Sequence, residues 1–497
     1  MLWLLLLLPF AAGVLALLLP GHAGRRTVLL GAAATHFALV LVALAGAAPP
    51  AWGGRLALDG LGGLFLLLSS GLFAVASAYA VGYLRRERVL ERLQGTARPD
   101  FLEGGLFANV PEAVFTATLL CFLGTMTGVC LAHDFQLLWV LVEGTTLASA
   151  PLIYFHRHHR SLEASWKYLL LCSVGISIAL LGTLFLAVAG TDAQGGSTPL
   201  LMTALAAKAD TLAVPWVKAA FVLILVGYGA KMGLAPMHNW LPDAHSEAPS
   251  LVSALLSGAL LNCAFLGVLR GLQVCGMVGE AAFARELLLG FGLVSLAIAA
   301  LFVLRQADFK RLLAYSSVEH MGLLAVGVGL AGAGGEAAML HAVNHTVAKG
   351  MLFLLAGNLL AAFHTKEIHQ VRGALRVLPV SGGLWLLGLF AITGTPPFGM
   401  FHSELALVRA ALEQGRPVVA AGVLLGLGAV FAGMSAVFLR MCLGAPRGAV
   451  AAPAREEFSA ILPPALLATL ALWLGLQVPG ELAALLRAAA AQLGALP

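Results

Sequence analysis

The chain has 497 residues, of which 60% are apolar and only 11% are Asp, Glu, Lys or Arg, and its mean hydropathy is +0.93. Soluble domains carry about 25% charged residues, so this composition excludes an ordinary water-soluble protein. The net charge of +5 comes from basic residues dispersed among short loops, which argues against a nucleic-acid partner.

The apolar residues form about fourteen runs, each long enough to cross the ~30 Å hydrocarbon core of a bilayer as a helix. We therefore predict an all-α integral membrane protein with about fourteen transmembrane helices. The first run, MLWLLLLLPFAAGVLALLLP, has no basic residue before it, so we expect a retained helix rather than a signal peptide. The predicted spans are 2–20, 27–46, 60–84, 112–131, 134–154, 166–189, 216–245, 249–271, 287–305, 309–332, 336–363, 379–411, 417–441 and 460–478.

The loops indicate an orientation. Two polar linkers stand out, 85–109 and 444–458, and lysines and arginines are concentrated in the loops that follow odd-numbered spans, as at Arg157 and Arg160. Basic loops of membrane proteins are mostly cytoplasmic. We therefore expect a multi-pass protein of the cell membrane with both termini on the extracytoplasmic side.

The seventh and twelfth predicted spans are too long and contain helix breakers, Gly233 and Pro236 in the seventh and Pro396 and Pro397 in the twelfth. Proline removes a backbone donor, and the freed carbonyls need protein or water partners inside a membrane. Discontinuous helices at corresponding positions of two halves indicate an ion site in a transporter. Since these breaks are five spans apart, we predict two inverted five-helix repeats, although both breaks could be packing kinks. The predicted segments are a three-helix segment with its loop (1–111), the first repeat (112–273), the second, inverted repeat (287–441) and a C-terminal helix (442–497).

Several ionisable residues lie inside the predicted spans, where a charged group costs ~2.5–3.5 kcal/mol at the bilayer centre. Residues spaced by four, as in the eleventh span, share one face of a helix. Such groups must line a hydrated interior or pair with each other, and carboxylate, amine and imidazole groups together can relay protons. The candidates are Glu143 in span five, Lys231 in span seven, His320 in span ten, His341, His345 and Lys349 in span eleven, and Glu404 in span twelve.

These residues also have structural interpretations. Glu143 and Lys231 could form a static buried pair, and the histidines could serve only helix–helix hydrogen bonding. The stripe in span eleven lacks a third good zinc ligand, and the cysteines show no CxxC or CxxxC spacing. We therefore expect no metal, no cofactor and no catalytic residue in this chain. The cysteines are Cys121, Cys130, Cys172, Cys263, Cys275 and Cys442.

The segment from Lys231 to Arg270, KMGLAPMHNWLPDAHSEAPSLVSALLSGALLNCAFLGVLR, resembles the signature of the proton-pumping antiporter-like subunits. That family includes membrane subunits of respiratory complex I, of Mrp-type Na⁺/H⁺ antiporters and of group 4 hydrogenases. The segments LLWVLVEGTTLASAPLI, DFKRLLAYSSVEHMG, HAVNHTVAKGMLFLLAGN and ITGTPPFGMFHSE are similar to further family segments and occur in family order. WLPDAHSEAPS together with SSVEHMG resembles most the hydrogenase-4 component F branch.

The resemblance implies roles for individual residues. Glu143 would pair with Lys231, the three polar residues of span eleven would connect the two halves, and Glu404 would lie at the exit. Family members usually carry a lysine where this chain has Asn262. Because asparagine cannot hold a proton, the relay is either bridged by water or interrupted there.

We therefore expect a proton-translocating subunit of a membrane-bound redox complex, of the group 4 hydrogenase or formate-hydrogenlyase type. It would assemble with other membrane and peripheral subunits in the lipid bilayer and carry protons. The alternatives are a complex I subunit, an Mrp-type antiporter subunit that would also carry Na⁺, and a non-pumping membrane scaffold.

Overall fold

A computed structural model describes residues 1–46, 48–99, 106–191, 196–446 and 456–494. Residues 100–105 and 447–455 of the two predicted polar linkers, and 495–497 of the predicted C-terminal segment, lie outside the described residues. The described chain is a bundle of α-helices with one antiparallel pair of short strands, Arg98–Pro99 and Leu106–Phe107.

The helices run in both directions across the bundle. Their bounds are α1 Leu2–Leu18, α2 His22–Ala45, α3 Gly60–Gln94, α4 Glu112–Leu131, α5 Phe135–Ile153, α6 His159–Ala189, α7 Met202–Ala207, α8 Val214–Met232, α9 Trp240–Glu247, α10 Ser250–Leu255, α11 Leu261–Met277, α12 Ala281–Val303, α13 Phe309–Gly329, α14 Ala333–Phe363, α15 Ala374–Val377, α16 Pro379–Ile392, α17 Gly399–Glu413, α18 Pro417–Cys442, α19 Phe458–Leu476 and α20 Gly480–Gly494. A π-helix, Leu256–Leu260, joins α10 to α11, and Trp52–Gly54 and Ala209–Thr211 are 3₁₀ turns.

The described residues include twelve helices that are long and apolar enough to cross a membrane, one of them the continuous Ser250–Met277, and two shorter apolar helices, α1 and α16. The most apolar stretches of Ser250–Met277 and α13 are completely buried, whereas α2 and α18 expose most of theirs. This is the arrangement of a bundle whose outer helices face lipid. The predicted all-α, multi-pass membrane fold is confirmed, and the count of about fourteen spans stays a prediction.

Both predicted helix breaks are present. The seventh predicted span divides into α8 and α9, and the twelfth into α16 and α17. Each break begins at a glycine in the left-handed region, Gly233 with φ 84° and Gly394 with φ 61°, where other residues are strained. A proline follows three residues later in each case, Pro236 and Pro397, and the peptide bond before it is cis.

The two predicted repeats share further features. Asp134 caps the N-terminus of α5 by accepting hydrogen bonds from the amides two and three residues later, and Asp308 caps α13 in the same way. Each aspartate also pairs through its backbone with the loop two spans later, Asp134 with Leu201 and Asp308 with Glu367. These correspondences support the two-repeat interpretation, and the predicted segment boundaries stay a prediction.

The two capping aspartates lie on opposite faces of the bundle. On the Asp134 face, defined by the loops that contain Asp59 and Asp134, the Trp3 and Trp52 rings have centroids 5.8 Å apart. Gln492 of α20 reaches this face as well, because its Oε1 accepts a hydrogen bond of 3.1 Å from the Leu61 amide. Trp3 and Gln492 therefore both lie on the Asp134 face, and the Asp308 face is on the opposite side of the bundle.

Candidate functional site

The helix break that follows α8 positions a buried lysine. Lys231 lies two residues before Gly233 and is fully buried. Its Nζ donates to Thr146 Oγ1 and, at 3.3 Å, to the Tyr168 hydroxyl. Thr146 in turn donates to Glu143 Oε2 at 3.2 Å. Thr146 therefore links Glu143 to Lys231, and we call Glu143, Thr146 and Lys231 the first-repeat triad.

Glu143 lies nearer the outside of this chain than Lys231 does. Its side chain is half-buried, and Ser173 Oγ of α6 donates to its Oε1 at 2.8 Å. The sequence pattern predicted a pairing of Glu143 with Lys231 but not that Thr146 would bridge them. A bridging hydroxyl can pass a proton, since it both donates and accepts hydrogen bonds.

Asn262 follows the π-helix of Ser250–Met277, and such π-segments are frequent at functional sites. Its Nδ2 donates to the Gly258 carbonyl at 3.0 Å and to Thr346 Oγ1 of α14 at 2.9 Å. Its Oδ1 is buried and has no hydrogen-bond partner among the residues that the structure describes. A buried acceptor without a partner is a suitable site for a water molecule. Among the described residues, no hydrogen bond joins Lys231 directly to Asn262.

The histidines predicted from α13 and α14 do come together. His320 Nδ1 and His341 Nε2 are 3.0 Å apart, and His341 Nδ1 is 3.0 Å from Ser403 Oγ of α17. His345 Nε2 is 3.3 Å from the Ser257 carbonyl, and its ring centroid is 5.2 Å from that of His320. Rings in hydrogen-bond contact can transfer protons by exchanging donor and acceptor roles.

Glu404 of α17 lies at the end of this set. Its Oε2 lies against Gly394, at the break between α16 and α17, and its Oε1 is buried and has no partner within the described part of the chain. Side-chain polar atoms of His320, His341 and Glu404 lie within 4.8 Å of one another. The sequence argument against a zinc site was that the stripe in span eleven lacks a third good ligand, and here His341 of that stripe has two further possible ligands, His320 and Glu404, from other helices. The expected absence of metal and cofactor therefore stays a prediction.

The predicted residues thus lie in two groups, which are held together partly by hydrogen bonds and partly by proximity alone. The first is the first-repeat triad, and the second joins α11, α13, α14 and α17 around His320 and His341. Lys349 belongs to the second group: it is fully buried, and its Nζ donates to the Leu313 carbonyl at 2.7 Å and to Ser316 Oγ of α13.

The sequence argument did not select several buried ionisable residues, among them Glu319, His245 and Lys310. Glu319 is 3% exposed, next to His320. His245 is fully buried against the Phe353 ring, and neither of its nitrogens has a partner among the residues that the structure describes. Lys310 is buried and donates to the Ala248 carbonyl at 2.5 Å. These three residues lie near the ends of predicted spans or next to a residue that was selected, so that only their burial in the fold identifies them as candidates.

A further ion pair, between Arg270 and Asp59, lies near the Asp134 face. Arg270 of α11, which is 1% exposed, donates to both carboxylate oxygens of Asp59 at 2.6 and 2.9 Å. Burial alone would raise the pKa of Asp59, but the Arg270 charge and a hydrogen bond with His133 outweigh it and hold the pKa well below its usual range. The pair fixes α3 against α11 beside the site.

The sequence and the fold both match known proteins. The family model described as "NADH:quinone oxidoreductase/Mrp antiporter, TM" matches residues 132–431. The chain is 37% identical over 319 residues to the hydrogenase-4 component F homolog of Methylacidiphilum infernorum, a match that covers 64% of this chain and 67% of that relative.

Two solved structures share the fold along nearly the whole chain. A chain of the archaeal membrane-bound sulfane sulfur reductase matches with a TM-score of 0.85 and 23% identity, covering 99% of this chain and 97% of that one. A chain of respiratory complex I from Thermus thermophilus matches with a TM-score of 0.79 and 26% identity, covering 99% and 100%. The resemblance found in the sequence motifs is confirmed. Since the family model matches more than half of its residues, this chain belongs to the NADH:quinone oxidoreductase/Mrp antiporter family of membrane subunits.

Proposed function

We propose that this chain carries protons across the membrane as a subunit of a membrane-bound redox complex of the group 4 hydrogenase type. The observation that supports it best is the grouping of ionisable side chains on facing helices, from the half-buried Glu143 and the buried Lys231 through His345, His320 and His341 to Glu404. Lipid-facing positions would not tolerate such groups. Similarity to the hydrogenase-4 component F homolog favours this type of complex.

Proton movement would begin at the first-repeat triad. A change in the charge near Glu143, driven by electron transfer in a neighbouring subunit, would weaken its interaction with Lys231 and release a proton from the ammonium group. The half-buried position of Glu143 makes it the member of the triad best placed to sense a neighbour. Each proton moved outward works against ~2.3 kcal/mol per 100 mV of membrane potential.

Asn262 would take part by holding a water rather than a proton. Asn262 is hydrogen-bonded to Thr346 of α14, the helix that carries His341 and His345, and its Oδ1 has no partner among the described residues. A water bound there would connect Lys231 to His345, and the proton would continue through His320 and His341 to Glu404. In the proposed orientation the Asp308 face is cytoplasmic and the Asp134 face is extracytoplasmic, as the distribution of basic loops predicts.

The substitution Lys231→Ala tests this proposal. In membrane vesicles that contain the assembled complex, redox turnover should continue while the movement of protons, followed with a pH-sensitive dye, is lost. Lys208, an exposed lysine on the Asp134 face, provides the control as Lys208→Ala, which should behave like the wild type. Unchanged proton movement in Lys231→Ala would contradict the proposed role.

An Mrp-type Na⁺/H⁺ antiporter subunit, a complex I subunit and a non-pumping scaffold remain the competing functions, and the missing direct contact between Lys231 and Asn262 favours the scaffold. The same vesicles identify the antiporter and the scaffold. A dependence of dye response on Na⁺ indicates an antiporter, and redox turnover without any proton movement in the wild type indicates a scaffold.

A further inference from the structure

Glu319 of α13 is a buried ionisable residue that the proposed proton path does not use. It is 3% exposed, in a helix whose apolar part is completely buried. It interacts electrostatically with Lys349 of α14 and Glu404 of α17. A carboxyl group at this depth is unfavourable unless neighbouring groups stabilise it or it has a function.

A static ion pair does not account for Glu319. The nearby lysine, Lys349, directs its Nζ to the Leu313 carbonyl and to Ser316 Oγ. Within the part of the chain that the structure describes, no cationic nitrogen lies within 4.0 Å of the Glu319 carboxylate. Ser316 stands one helical turn before Glu319, so that the hydroxyl and the carboxyl lie on the same side of α13. Lys349 is therefore close to Glu319 without being held by it.

The same three chemical groups occur in the first-repeat triad. There, a carboxyl and a hydroxyl three residues apart on one helix meet a lysine from another helix, whose Nζ donates to the hydroxyl. In the second repeat, Glu319 and Ser316 are also three residues apart, and Lys349 donates to Ser316. The order of hydroxyl and carboxyl along the helix is reversed. Both helices begin at an equivalent cap, Asp134 and Asp308.

We propose that Glu319 is a proton-carrying residue of the second repeat, which receives a proton from Lys349 and passes it to Glu404. This inference rests on the proposed function. In the first step the Lys349 ammonium loses a proton, through the Ser316 hydroxyl or a water, and a Glu319 carboxylate oxygen gains it. This leaves a neutral amine and a neutral carboxyl. In the second step the proton moves from Glu319 to the Glu404 carboxylate, and no electron is transferred in either step.

The test compares Glu319→Gln, Glu319→Asp and Glu336→Gln in vesicles that contain the assembled complex. Gln keeps the shape of Glu but cannot carry a proton, so proton movement per redox turnover should fall by at least about tenfold, a smaller factor than the ~10²–10⁴-fold that a positioned acid–base group contributes to a rate. Glu319→Asp should retain part of it. Glu336 is an exposed carboxylate in the first turn of α14 and serves as the control. In infrared difference spectra of turnover, a carboxyl band should be missing from Glu319→Gln and displaced in Glu319→Asp, which a purely structural residue would not produce.

The possible failures are distinguishable. Wild-type proton movement in Glu319→Gln, together with its loss in Lys231→Ala, would overturn the role of Glu319 and leave the proposed function intact. Wild-type proton movement in both variants would reject the proposed function itself. If Glu319→Gln does not assemble, Glu319→Asp decides, and a spectrum identical to that of the wild type overturns the proposal.

Discussion

Replacing Gly394 by alanine should slow proton movement by displacing the Glu404 carboxylate. A Cβ built on Gly394 overlaps the Glu404 carboxylate group, so the carboxylate would have to move by about 1 Å, a misplacement of reacting groups that can lower a rate by ~10²-fold. The left-handed backbone at φ 61° adds ~1–2 kcal/mol of strain for a residue other than glycine. We expect the rate of proton movement in Gly394→Ala to fall by roughly tenfold to a hundredfold.

The chain offers a matched control for the backbone strain. Gly415 also has a left-handed conformation, with φ 68°, but a Cβ at this position meets no atom within 4 Å. Gly415→Ala should therefore lower the stability by a similar amount and leave proton movement unchanged. The assay is the initial dye response of vesicles, normalised to the quantity of assembled complex. Equal rates in Gly394→Ala and Gly415→Ala would refute the argument that Glu404 must lie against the break.

Two further substitutions test other contacts. Thr146→Val removes the hydroxyl that bridges to Lys231 at almost constant volume. Since a hydrogen bond to a charged group contributes ~1.5–3 kcal/mol, proton movement in the dye assay should slow by about tenfold or more. The control Thr469→Val, which removes an exposed hydroxyl of α19, should have no effect in the same assay. Asp59→Asn leaves the buried Arg270 charge unpaired, which costs ~3–5 kcal/mol, and should lower the thermal unfolding midpoint in detergent. Arg270 holds the pKa of Asp59 below its usual value despite burial, so the wild type should be more stable than Asp59→Asn by the full amount above pH 3.8 and by less only at lower pH. A stability difference that already declines near neutral pH would contradict this reasoning.

The helix breaks and the polar residues of α14 could be predicted from the sequence because their signals are local. Glycine and proline interrupt a helix wherever they stand, as at Gly233 and Pro397. A spacing of four residues places His341 and His345 on one face whatever the neighbouring helices do. The apolar runs predicted roughly where the long helices lie, although the runs at 216–245 and 379–411 each contain two helices.

Contacts between helices could not be predicted in the same way. Whether Lys231 meets Glu143 directly or through Thr146 depends on the rotation of α5 against α8, which no periodicity specifies. Glu319 was overlooked because His320 is the next residue and only packing shows that both are buried. Helix α20 was missed because it is short and carries Glu481, Arg487 and Gln492, and therefore has no continuous apolar run.

The break between α8 and α9 limits how the lysine beside it can move. Trp240, the first residue of α9, is fully buried and donates its indole N–H at 2.9 Å to the carbonyl of Ala230, one residue before Lys231. Pulling the two half-helices apart would leave that carbonyl without a hydrogen bond in hydrocarbon, which costs a free energy on the order of several kcal/mol. This hydrogen bond holds the two half-helices together, and the Lys231 ammonium can still be displaced by rotation about its own four-carbon chain.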